Sequence, residues 1–457
     1  MRKPKLLATF REDMPFLKSF LLLSLPIGLQ SMVTSITNAI SSLMVGQLGD
    51  LHVSATSLAG QVFFILSLVI VGIVSGVTIF LAQFYGKGDK ESLNRASALG
   101  FSFIVGASVL FTAIGLLVPE QVLYLFSKEA AVVEPAARYL NIVCLSYLPT
   151  GISLACTMVF RNIGRPGFPL RVTLFTIVVN VALGYVLIFG KLGLPELGIN
   201  GAAYALVAAR LVEMLIMVYM LYFRCREFAP RLSHLLAIRK PFFALIFKTS
   251  FPVILNETIW SIGYALYSVV FYHMGYEVGA AVGIAKVLEQ LLIAFFIGTG
   301  HASAILLGQT IGEGNRDKAP YYVKRMEAYT AMFGILIGLL LIGLSPLILL
   351  LYQGISPQVK EYVLLLLFYM ALIMPVKGMN FVHIMGTLRA GGDTKMCMVI
   401  DNVTLWCLSL PLTFLTGYAL GFGIEAVFLF VILDDICKYV LVRLRIRSDK
   451  WIRNLVS

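Results

Sequence analysis

Charge is scarce in this chain. Asp, Glu, Lys and Arg make up 13% of its 457 residues, against 59% apolar residues and a mean hydropathy of +0.89. A soluble domain carries roughly a quarter charged residues, so a water-soluble globule is excluded. Patterned chemistry is scarce too. No Gly-x-x-x-x-Gly-Lys-Ser/Thr run is present to cradle a nucleotide phosphate, which argues against ATP hydrolysis within the chain. No His-Glu-x-x-His, paired-His metal spacing or Gly-x-Ser-x-Gly appears, which leaves a membrane enzyme without a site, and no filter-like segment supports a channel. The six cysteines (Cys144, Cys156, Cys225, Cys397, Cys407, Cys437) lie in apolar runs or a basic loop without metal-ligand spacing, and are read as small apolar filler. The expectation is therefore a non-enzyme without a cofactor.

What the chain does have is long apolar runs. A helix needs about 20 mostly apolar residues to cross a bilayer, and solid rather than alternating runs select helices over a barrel. Twelve spans can be drawn: 16–45, 52–83, 94–118, 131–160, 168–190, 198–223, 243–272, 277–308, 320–349, 358–386, 394–417 and 421–444. The first is too long for a signal peptide and is read as a retained helix.

The chain is also written twice. Pro26, Gly49, Ala59, Gly72, Gln83, Gly86 and Gly88 recur 226 positions later as Pro252, Gly275, Ala285, Gly298, Gln309, Gly312 and Gly314, and Arg161 and Gly164 precede Arg389 and Gly392 by 228. Six spans per copy put both copies in the membrane the same way round, as parallel repeats with a substrate path between two lobes. The fold class expected is an all-α membrane protein of twelve helices in two six-helix repeats. Its divisions would be an N-lobe over 1–223, a basic linker over 224–248 and a C-lobe over 249–457.

Most of the 36 Lys and Arg fall in or beside the N-terminal segment, the loops after even-numbered spans and the C-terminal tail; the opposite loops hold only Lys128 and Lys191. This bias places both termini in the cytoplasm, in an inner or plasma membrane. Topology then accounts for the net charge of +12, without a nucleic-acid partner. The linker mixes Arg224, Arg226, Arg231, Arg239, Lys240 and Lys248 with Phe228, Leu235, Leu236, Phe242 and Phe243, either as an amphipathic hinge on the inner membrane surface or as an ordinary connector. Pro26 and Pro252, with Pro149, Pro375 and Pro411, should kink their helices.

Ionisable groups at membrane depth are costly and are functional candidates. Glu257, preceded by Asn256, stands five residues after Pro252; its counterparts in the first copy are Ser31 and Gln30. Lys286 and Glu289 share a helix face, either as a self-neutralising pair or as part of a cation site; Lys377, His383 and Asp401 follow. Clustered carboxylates in a low dielectric bind a proton or a small cation, so Glu257, Asn256, Glu289 and Asp401 are the coupling candidates, with Na+ near Glu257 as the one metal expected. Arg210–Glu213 and Asp435–Lys438, each spaced i, i+3, are read as structural pairs. Aromatic walls suit varied ligands, so Tyr264, Tyr267 and Phe296, with Gln30, Asn38, Ser41, Asn180, Lys286 and Lys377, are the expected substrate-cavity residues.

Leu-Arg-Ala-Gly-Gly-Asp-Thr-Lys (388–395), Asn38 with Met44-Val45-Gly46-Gln47-Leu48-Gly49, Asn180 through Leu187-Ile188-Phe189-Gly190, Pro195 to Ala203 and Lys450-Trp451 together resemble the multidrug and toxic compound extrusion (MATE) transporters, over nearly the whole chain. The resemblance implies a V-shaped pair of lobes. It also implies efflux of amphipathic, often cationic, organic molecules and drugs in exchange for Na+ or H+, and Pro26, Pro252, Arg389, Gly391, Gly392 and Asp393 as shape-bearing positions. A monomer in the lipid bilayer is expected. The sequence departs from the family pattern at Ser41 and Gly184, where many members carry aspartates, and at Gly378, flanked by Lys377, where an aspartate often partners the Glu257 position. The alternative is a related flippase for lipid-linked precursors, which would want a basic cavity.

Overall fold

The computed structural model describes residues 6–350 and 356–456, and every regular element among them is helical. Residues 1–5, part of the basic N-terminal segment, lie outside the described residues. The long helices are α1 (Leu6–Gly46), α2 (Asp50–Lys87), α3 (Lys90–Leu117), α4 (Ala130–Asn162), α5 (Gly167–Phe189), α6 (Gly198–Arg224), α7 (Lys240–His273), α8 (Tyr276–Gly312), α9 (Ala319–Leu350), α10 (Pro357–Leu388), α11 (Thr394–Ala419) and α12 (Ile424–Arg447). Eleven, α1 to α11, are long and apolar enough to cross a membrane by length and composition. The twelfth has the length, at 24 residues, but carries Glu425, Asp434, Asp435, Lys438 and three arginines. Large apolar side chains face outward on many helices, Leu117, Phe175, Leu339 and Leu372 among them. The interior holds polar groups that a lipid phase would not solvate, including Asn256, Glu289, Asp401 and Lys438.

The prolines act unevenly. α1 and α7 continue as α-helix through Pro26 and Pro252. A tight 3-10 turn at Cys144–Ser146 stands just before Pro149, and wide π-turns at Thr404–Ser409 and Leu415–Ala419 flank Pro411. Each proline removes one helix hydrogen bond, and the neighbouring turn is where the chain absorbs the loss.

The two copies repeat in backbone detail. Gly88 and Gly314, which close α2 and α8, have φ of 77° and 83°, and Gly164 and Gly392 have 76° and 74°. Only glycine occupies this left-handed region without strain, so the matched glycines recorded in the sequence are matched turns.

Two compact units emerge from the packing, and their limits follow the same duplication. One comprises 29–254; the other comprises the chain up to Gly28 together with 255–457. Each cut falls two residues after a repeat proline, inside α1 and inside α7, rather than in the linker. Close helix approach explains this. A Cβ at Gly72 would stand 2.7 Å from Ile254 Cα, and one at Gly76 would stand 2.4 Å from Ser250 Cβ, so α2 packs hard against the first part of α7. In the other unit a Cβ at Gly298 would stand 2.4 Å from the Ser24 carbonyl oxygen, so α8 packs likewise against the first part of α1. Gly298→Ala is expected to destabilise the detergent-purified protein by about 1–3 kcal/mol, as overpacking does. Gly106→Ala, with open space around the glycine, is the control. Equal thermal unfolding of the two variants would refute the close-packing account.

The linker is largely absorbed into the 29–254 unit. Cys225 and Phe228 to Pro230 are buried, Phe228 stacks obliquely on Tyr85, Phe84 pairs with Phe242, and Asn94 Nδ2 donates to the Glu227 carbonyl at 2.9 Å. Leu232 and Leu236, in the short helix Leu232–Leu236, remain exposed as an apolar edge.

Candidate functional site: a hydroxyl-lined cavity and a lysine-bridged acid network

Unit 29–254 encloses a cavity of about 340 Å³ among α1, α2, α4, α5 and α6. Its lining mixes hydroxyls and amides, including Thr34, Thr37, Ser42, Thr56, Ser57, Thr150 and Thr176, with aliphatic side chains such as Val45, Ile177 and Leu206, beside Phe63, Tyr139 and Tyr147. Asn38, Ser41 and Asn180 line it, and Asn180 Nδ2 reaches Ser41 Oγ at 3.4 Å. Gly184 lines it as well. Its one charged pair is Arg210–Glu213, closed on itself at 2.7 Å as the i, i+3 spacing anticipated. Gln30 sits just behind the wall: its Nε2 donates to Thr173 Oγ1 at 3.1 Å, and its Oε1 accepts from Arg161 at 2.7 Å.

The second unit carries most of the buried acids, and those named here each have a cation beside them. Glu257 pairs with Arg389 at 2.7 Å, the two side chains 16% and 3% exposed. Lys377 donates to Glu289 Oε1, whose Oε2 accepts from the Tyr264 hydroxyl at 2.8 Å; the same ammonium lies 3.6 Å from Asp435. Lys438 lies 2.7 Å from Asp401 and 3.1 Å from Asp434. Asn256 Nδ2 donates to Asp401 Oδ2 at 2.9 Å, and its Oδ1 accepts from Asn402 Nδ2 at 2.6 Å. Glu327 of α9 accepts from Arg443 at 2.6 Å and from the Tyr439 hydroxyl, with His383 Nε2 3.8 Å away.

Several expectations are thereby corrected. Lys286 does not close on Glu289; it donates to Ser268 and lies over the Tyr264 ring at 5.1 Å, because Lys377 reaches Glu289 from α10. Lys438 takes Asp434 and Asp401 rather than Asp435, since i, i+4 places Asp434 beneath it and α11 supplies the other carboxylate. Phe296 and Tyr267 are packing residues. Phe296 is wholly buried, against the place a Gly378 side chain would occupy (2.6 Å from its ring to a Cβ there), and Tyr267 is buried with its hydroxyl on Ser409 at 2.6 Å. The aspartate the family often has at 378 would thus collide with Phe296. Asp434, Asp435, Glu327, Arg443 and Lys438 were missed as members of one network. An acidic pair inside an apolar helix was the signal for Asp434 and Asp435.

The shape-bearing motif is a latch. Asp393 accepts from Arg445 at 2.7 Å and Arg453 at 3.0 Å, while Trp451, wholly buried, lies so close over Gly391 that a Cβ there would stand 2.2 Å from its carbonyl oxygen. No group of three or more His, Cys, Asp or Glu suited to a metal ion occurs among the described residues, so Glu257 has Arg389 beside it rather than further acids.

The MatE family model matches the chain twice, over residues 26–186 and 252–433, starting at each repeat proline. The chain belongs to the MatE family. MatE proteins are transporters, not enzymes. The relatives include a "Probable multidrug resistance protein NorM" of Thermotoga maritima, 24% identical over 98% of this chain and 96% of the relative. A second is the "Uncharacterized transporter YisQ" of Bacillus subtilis, 24% identical over 95% of this chain and 96% of its own. Among solved structures, "MATE in complex with MaL6" superposes with a TM-score of 0.86 at 17% identity, covering 94% of this chain and 96% of that one. An outward-facing multidrug resistance MATE family transporter gives 0.85 at 18%, covering 94% and 96%. These superpositions establish the MatE fold.

Proposed function

We propose that the protein is a secondary active exporter of amphipathic small molecules, driven by a Na+ or H+ gradient across an inner or plasma membrane. The carrying observation is the division of labour between the units. One holds a cavity of about 340 Å³ walled by hydroxyls, amides and aromatic rings, suited to varied ligands. The other holds the membrane-depth carboxylates, with Glu257, Asn256, Glu289 and Asp401 in one polar interior. The multidrug names of several relatives support drug-like substrates. In this reading α12 is the twelfth span, the spans form two sets of six, 1–223 and 249–457 are the lobes, and both termini are cytoplasmic.

Cation binding at the carboxylates would compete with the lysine and arginine partners, and the shift between paired and ion-bound states would move the population between conformations. A preference for organic cations has no unpaired carboxylate to rest on in the cavity lining, because Glu213 is tied to Arg210. A flippase for pyrophosphate-linked lipids would want several free cations there, and the lining offers Arg210 alone, already paired. The test is dye efflux in everted vesicles with sodium and proton gradients imposed separately. Efflux driven by one gradient is expected; indifference to both would reject antiport.

A further inference from the structure

The duplication leaves one cation without its acid. In the second unit Arg389 is buried and neutralised by Glu257 at 2.7 Å. Its counterpart in the first unit, Arg161, ends α4 in the equivalent place, but the position matching Glu257 is Ser31. Arg161 instead donates to the neutral amide oxygen of Gln30 at 2.7 Å, its Nε has no hydrogen-bond partner, and no carboxylate pairs with it among the described residues. Of the nine acids within 29–254, eight lie at helix ends or in loops. Glu213, the one held within a helix and buried, is committed to Arg210. The C-terminus of α4 contributes only about half a negative charge. A partly buried guanidinium without a counter-charge gives up hydration unrepaid, and its planar fork suits a carboxylate.

Arg161 stands behind the cavity wall, one side chain away from its lining. It is only partly buried, and the Gln30 amide that occupies it bonds at 3.1 Å to Thr173, whose side chain lines the wall. Arg210 and Glu213, the charged residues of the lining, cancel each other.

We propose that Arg161 is an anion subsite of this cavity, which takes amphipathic organic molecules bearing a carboxylate, the ligand carboxylate replacing Gln30 on the guanidinium and supplying the charge that Glu257 supplies to Arg389. This rests on the exporter reading for its purpose, but not for its test. The purified protein is titrated in detergent with a fluorescent coumarin carboxylic acid and with its methyl ester, which keeps the ring system and lacks the negative charge. The acid is expected to bind about tenfold or more tightly, as a charge-assisted fork does. Ser31→Glu rebuilds in the first unit the ion pair of the second, and should remove the preference by occupying Arg161 internally. Arg161→Gln should remove it by deleting the charge, so a fold failure of either variant leaves the other decisive. Equal binding of acid and ester by the wild-type protein, or an undiminished preference in a folded variant, overturns the proposal. Because binding is read without a gradient, a protein that binds the acid but exports nothing would fail the exporter reading and keep the subsite.

Discussion

Glu257→Gln is expected to lower gradient-driven efflux about tenfold or more and to destabilise the protein at the same time. The two effects have separate origins and can be separated. Removing the carboxylate leaves Arg389, 3% exposed, as an uncompensated charge, and breaking a buried pair from one side costs about 3–5 kcal/mol. Removing both partners does not, so Glu257→Gln with Arg389→Gln should recover most of the thermal stability. Coupling needs the titratable or cation-binding oxygen itself, so the double variant should stay inactive in proteoliposomes. Recovery of efflux along with stability would show that Glu257 only holds Arg389 in place. Unchanged efflux in the single variant would remove Glu257 from the coupling mechanism.

The positions of eleven apolar helices, the duplication and the matched turns were legible in the sequence because each rests on local chemistry. A solid apolar run can only be a spanning helix, and a glycine repeated at the same register marks the same left-handed turn, as Gly88 and Gly314 do. The partners of the buried charges were not legible. Lys286–Glu289 and Asp435–Lys438 had the right spacing for pairs within a helix, yet Glu289 is taken by Lys377 of α10 and Lys438 by Asp401 of α11. Which neighbour wins depends on how each helix is rotated about its axis, and tertiary packing sets that. Phe296 shows the same limit: an aromatic on α8 reads equally as cavity wall or as filler, and the missing side chain at Gly378 decides for filler. The close packing of the first parts of α7 and α1 onto α2 and α8 was hidden for a related reason, since it rests on the missing side chains at Gly72 and Gly298.

Lys438→Met tests whether the lysines stand in for the coupling cation. The ammonium lies between Asp401 at 2.7 Å and Asp434 at 3.1 Å, in a side chain 6% exposed, so its removal leaves two carboxylates facing a vacated space in a low dielectric. Like charges so placed cannot both remain ionised, and the variant should lose about 3–5 kcal/mol of stability near neutral pH. The folded variant then binds a proton that its unfolded chain does not, so its stability should rise as pH falls from neutral toward the ordinary carboxylate range. The rise should be larger than in the wild-type protein, where the lysine is in place. A sodium ion can fill the same space, with Asn256 Oδ1 and Asp401 as ready oxygen donors, so Lys438→Met should also become more heat-stable on addition of NaCl than of choline chloride. A variant stabilised by acid alone would mark the site as suited to protons. One indifferent to both acid and sodium would mean that Asp401 and Asp434 find other partners once Lys438 is gone, and the idea of a lysine occupying a cation site would fall.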